Sequence, residues 1–74
     1  MRLTWTIALT NGPAVGASDR ATLDECLSDM EAALRTALPN WTPEHATALR
    51  RVRQALVRGQ RSVVSPAFLV TLED

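Results

Sequence analysis

The sequence predicts an α+β fold, with a helical hairpin packed on one face of an antiparallel two-stranded sheet. Three observations carry that expectation. Residues 2–10 alternate apolar and polar, the mark of a half-buried strand. Two central segments repeat apolar residues at three- and four-residue spacing, each behind a capping signal. The last ten or so residues alternate again around Phe68, Val70 and Leu72.

The elements follow in chain order. In the first strand Leu3, Trp5, Ile7 and Leu9 share one face, and Arg2, Thr4, Thr6, Ala8 and Thr10 share the other. Residues 11–21 hold Asn11-Gly12-Pro13, Gly16 and Ser18-Asp19 and read as a loop. Asn11-Gly12 suggests a hairpin, but Pro13 cannot donate to a ladder. Thr22-Leu23-Asp24-Glu25 is a capping box that opens a helix over residues 23–38. Its apolar face runs through Leu23, Cys26, Leu27, Met30, Ala33, Leu34, Ala37 and Leu38, and Pro39 ends it. Thr42-Pro43-Glu44 opens a second helix over residues 43–58, with Gly59 as its C-terminal cap. Residues 60–62 form a turn. A second strand over residues 63–72 is interrupted near its start by Pro66.

The order is then strand, helix, helix, strand. If the first strand runs up, the first helix runs down, the second up and the last strand down. That sets the last strand beside the first and antiparallel to it. The expected core is Leu3, Trp5, Ile7, Leu27, Met30, Leu34, Leu49, Val52, Leu56, Phe68 and Val70.

A chain of 74 residues holds one core, so residues 1–74 read as a single domain. Domains this small often rely on disulfides, metals or assembly. One cysteine forms no internal disulfide, and with a single histidine there is no local Cys/His zinc cluster. No cofactor motif is present. All eight basic residues are arginine, as the codon usage of a GC-rich bacterial genome would produce. No apolar run approaches the roughly 20 residues of a membrane span. Thr4, Thr6 and Thr10 break the short apolar stretch a signal peptide would need, so the expected compartment is the cytoplasm.

Charge is sorted between the helices. The first carries Asp24, Glu25, Asp29 and Glu31 against Arg35; the second carries Arg50, Arg51, Arg53 and Arg58 against Glu44. Arg50, Arg51 and Arg58 fall in one sector opposite Leu49 and Val52, a candidate contact surface for carboxylates or phosphates. Glu25 and Asp29 form a like-charge pair one helical turn apart, which an arginine from outside the helix would relieve. Trp41, just before the Thr42 cap, is either a hydrophobic staple or an interface anchor.

Catalysis finds little support. Cys26 lies on an apolar face close to Glu25 and Asp29, where a reactive thiolate is disfavoured. A Cys26–His45 dyad has no orienting third residue on the same faces. The expected function is a small non-enzymatic protein–protein interaction module. It would assemble as a homodimer by pairing the unguarded first strand across a two-fold axis, or meet another protein. The interaction surface would comprise Arg50, Arg51, Arg58, Trp41, Glu25 and Asp29. The alternative is a nucleic-acid regulator contacting phosphates through the second helix. Zero net charge, a pI of about 6.6 and the absence of interleaved aromatics argue against it.

Overall fold

The first strand forms where its alternation places it, but it lies inside the sheet rather than at an edge. The computed structural model describes residues 1–65 and 67–73. Its elements are β1 (Arg2–Leu9), β2 (Gly12–Asp19), α1 (Leu23–Ala37), α2 (Pro43–Val57), β3 (Ser62–Val64) and β4 (Phe68–Glu73). The strands build one antiparallel sheet in the order β2-β1-β4-β3. The class is α+β as expected, with β1 beside β4 and antiparallel to it, but the sheet has four strands and not two.

The segment expected to be a loop is β2, paired with β1 along its whole length from Arg2↔Asp19 to Leu9↔Gly12. Each residue that argued against a strand has a place in it. Gly12 takes φ 120°, a value L side chains rarely adopt, and closes the turn through Thr10 and Asn11. The Arg20 N–H donates to the Met1 carbonyl, so even-numbered residues of β2 face β1 and odd-numbered ones face away. Pro13 therefore directs its missing donor to the open edge, where none is needed. Gly16 lies opposite Trp5, and a Cβ there would stand 2.4 Å from the indole Nε1. Glycine is what lets the indole lie across β2.

The expected final strand is also two strands. Between β3 and β4 the Ser65 N–H donates to the Phe68 carbonyl at 2.8 Å, and the Phe68 N–H donates to Ser65 Oγ at 3.0 Å. This double link reverses the chain. The expected interruption at Pro66 falls outside the described residues.

The presence of β2 also reverses the helices relative to the expected directions. β2 returns the chain to the end of the sheet where β1 begins, and α1 starts there. α2 starts at the opposite end, where the His45 ring lies 6.3 Å from that of Phe68. α1 packs on β1 and β2, and α2 on β3 and β4, so each helix covers its own half of one sheet face.

Both N-caps form where expected, but the box expected at α1 is only half made. Thr22 Oγ1 accepts from the Glu25 N–H, while the Glu25 carboxylate accepts from the Thr22 hydroxyl at 2.9 Å instead of from the Thr22 N–H. At α2 the box is completed by His45, whose Nδ1 accepts from the Thr42 N–H at 3.2 Å while Thr42 Oγ1 accepts from the His45 N–H. Beyond Arg58 the Gly59 N–H reaches the Leu56 carbonyl and the Gln60 N–H reaches that of Ala55. That is a Schellman closure with Gly59 at φ 102°.

The core holds the expected set together with Cys26 and Leu72, while Leu49 is only half-buried at its margin. The homodimer expectation rested on a free β1 edge, and that basis is gone: β2 and β4 flank β1 on both sides. The open edges of the sheet are β2 and β3. Among the described residues no helix is long and apolar enough to cross a membrane.

Candidate functional site

The sorted charge is largely spent inside the molecule. Every acidic side chain of α1 has an arginine. Arg20, from the link between β2 and α1, donates through Nε to Asp29 Oδ2 at 2.9 Å and lies 3.9 Å from Glu25. It supplies the relief that the Glu25–Asp29 pair requires. Arg35 meets Glu31 at 3.3 Å one turn away, and Arg53 crosses from α2 to Asp24 at 3.0 Å. These pairs are mostly exposed, so each contributes about a kcal/mol at most. The buried Ser18 hydroxyl also donates to Asp29 Oδ2 at 2.7 Å. That bond, with the Arg20 charge and its hydrogen bond, holds the Asp29 carboxyl below its ordinary range against the opposing effect of burial.

Between the two helices, the unmatched arginines belong to α2 and its C-cap. Arg50, Arg51 and Arg58 are exposed and make no ion pair among the described residues. They do not form one surface with Glu25 and Asp29, which belong to the Arg20 cluster beside β2. Arg50 and Arg51 also diverge. Arg50 joins Glu31, Arg35, Trp41 and Arg53 around a cleft of about 220 Å³ between the two helices. Arg51 lines a wider groove of about 520 Å³ between α2 and β3. Consecutive helix residues point about 100° apart, and here that angle separates two clefts.

Trp41 lies between the helices. Its ring centroid is 5.5 Å from that of His45, and the Arg35 guanidinium carbon stands 4.7 Å from its centre. Trp41 and Ala46 line the same cleft, the positions a staple across the Thr42 cap joins. The Trp41 Nε1 is buried with no hydrogen-bond partner among the described residues.

Cys26 and His45 are far apart. Cys26 is buried with Sγ 3.8 Å from the Met1 and Ser18 carbonyls, level with Leu3 on β1. His45 packs against Phe68, level with Ile7. Four residues of strand separate them, roughly 13 Å. A hydrogen-bonded dyad does not form. Among the described residues no group of three or more His, Cys, Asp and Glu side chains could hold a metal ion.

The sequence reading missed the groove between α2 and β3. Its floor depends on β3 folding back beside β4, and nothing in the spacing of Ala48 and Val52 announces Val63 as their neighbour. The Ser65-Pro66 pair was the only local sign of a reversal. No family model matches the chain, and no curated protein or solved structure matches it either.

Proposed function

We propose that this protein is a small non-enzymatic protein–protein interaction module whose contact surface is the solvent-facing part of α2, with Arg50 toward one cleft and Arg51 toward the other. The observation that carries the reading is the contrast between the two helices. α1's acids are matched within the fold, while Arg50, Arg51 and Arg58 are exposed and make no ion pair among the described residues. Guanidinium groups of this kind pair with carboxylates in two-point geometry, and arginine is enriched among residues that anchor interfaces. A nucleic-acid partner is disfavoured by the zero net charge. The separation of Cys26 from His45 supports the non-enzymatic part. A second copy of the chain is one partner this reading admits, and strand pairing with it would use β2 or β3 rather than β1.

Photo-crosslinking in the source cell tests the proposal. A crosslinking amino acid in place of Arg58 or Arg50 should give a discrete protein adduct, insensitive to nuclease. The same group in place of Ala32, exposed on α1, should give none. Adducts that nuclease removes would transfer the surface to nucleic acid. No adduct at either arginine position would dismiss the surface altogether.

A further inference from the structure

The groove between α2 and β3 combines three features that a peptide site requires. The first is a free strand edge. The Leu72 N–H donates to the Arg61 carbonyl and the Ser65 N–H to the Phe68 carbonyl, each at 2.8 Å. By the alternation of an antiparallel ladder, residues 61, 63 and 65 turn their backbone groups toward β4. Ser62 and Val64 then turn theirs outward, unclaimed by the sheet. The second is an apolar lining beside that edge, from Ala48 and Val52 of α2 and Val63 of β3. The third is charge. Arg51 stands on the helix wall without an ion pair among the described residues, and Glu44 lines the groove nearer the start of the helix.

We infer that this groove binds an extended acidic segment of another protein, which adds to β3 as a fifth strand and sets a carboxylate against Arg51. The inference rests on the interaction-module reading and names the partner's chemistry. A strand added beyond β3 lies about 4.8 Å from it, and alternate side chains face the helix. The residues entering the groove are therefore two apart. One is an aliphatic side chain that fits against the half-buried Ala48 and Val63, above the buried Val52. The next on the same side is Asp or Glu, reaching Arg51. Glu44 repels a second acid at the other end, which fixes the placement of the charge along the segment. Within β3, Ser62 and Val64 are the residues that offer backbone groups outward, so the affinity expected of a single segment is micromolar.

The test uses random nine-residue peptides displayed on phage and selected on the folded full chain at physiological salt. Selected peptides should carry Asp or Glu two residues from Val, Ile or Leu. The synthesised winner should shift the amide signals of Ser62 and Val64 on titration. Selection on the Arg51→Glu variant should replace the acid with Lys or Arg. Val64→Pro removes an outward N–H and none that faces β4, so it should keep the melting temperature within a few degrees and weaken binding at least about tenfold. Ser62→Pro serves in its place if that variant does not fold. Binding that survives both Arg51→Glu and the proline variant overturns the inference, as does a selection with no enriched peptide or no acid preference. Winners that depend on Arg50 or Arg58 and ignore the proline variant would sink the groove while leaving the arginine surface standing. Concentration-dependent shifts at Ser62 and Val64 without peptide would make the occupant a second copy, and would also overturn it.

Discussion

Single residues decide several features of this small fold. Gly16 is the clearest. A methyl group there meets the Trp5 indole at 2.4 Å, so the buried indole or the β2 backbone must shift to admit it. Gly16→Ala should cost about 1–3 kcal/mol by overpacking. A denaturant midpoint unchanged in that variant would show that the indole does not lie across β2. Asp29 gives a pH signature. Its carboxyl sits below the ordinary value of 3.8 because the Ser18 hydroxyl and Arg20 favour the charged form. A depressed carboxylate stabilises fully above its unfolded value, and that contribution is lost as the pH falls through the folded value. The gap in melting temperature between the wild type and Asp29→Asn should therefore be largest near neutrality and shrink below about pH 4. A gap that stays constant down to about pH 2 would contradict the Ser18–Asp29–Arg20 arrangement. Trp41 carries a buried N–H with no hydrogen-bond partner among the described residues, which costs free energy in the folded state. Trp41→Phe should then leave stability within about 1 kcal/mol, whereas Trp41→Ala should lose about 3 kcal/mol or more. A Phe variant as damaged as the Ala variant would mean that the indole N–H is bonded.

At the scale of elements, sequence and structure agree where a local pattern is complete. Both helices are legible because caps and periodicity coincide: Thr22 and Thr42 open them, and Gly59 closes the second. β1 is legible from nine residues of alternation. β2 is not, because its inward residues are Gly12, Ala14, Gly16 and Ser18, too small or too polar to show an apolar period. Their size answers to Trp5 and their polarity to Asp29, both supplied by other elements. β3 escapes notice because a chain reversal and a bend in a continuing strand look alike around Ser65-Pro66. The candidate surface was half legible for the same reason. The unmatched arginines could be counted, but their division between two clefts depends on where β3 returns. The caps predict a measurable effect: Thr42→Ala, which removes the acceptor for the His45 N–H, should lose about 1 kcal/mol. Unchanged stability by thermal melting would show that the His45–Thr42 box is not made.

For the whole molecule, the four-stranded sheet removes the argument that a second copy is needed. β1 and β4 each have neighbours on both sides, and one sheet face is covered by α1 and α2. The β2 edge carries Pro13 and Asp19, residues that discourage pairing. Light scattering at micromolar concentration should give a mass near 8.1 kDa. A mass near twice that, unaffected by salt, would return the sheet edges to self-assembly. The functional reading depends on β1 being interior, since only then do β3 and Arg51 beside it remain for a partner. Residue-resolved amide hydrogen exchange tests that most directly. In β1 the odd-numbered amides bond to β2 and the even-numbered ones to β4, so Leu3, Trp5 and Ile7 should be protected as strongly as Thr4 and Thr6. Ser62 and Val64 should exchange rapidly in the free protein. Fast exchange at Leu3, Trp5 and Ile7 with protection at Ser62 and Val64 would contradict the account, because it would place the free edge on β1 and close the groove proposed for the partner.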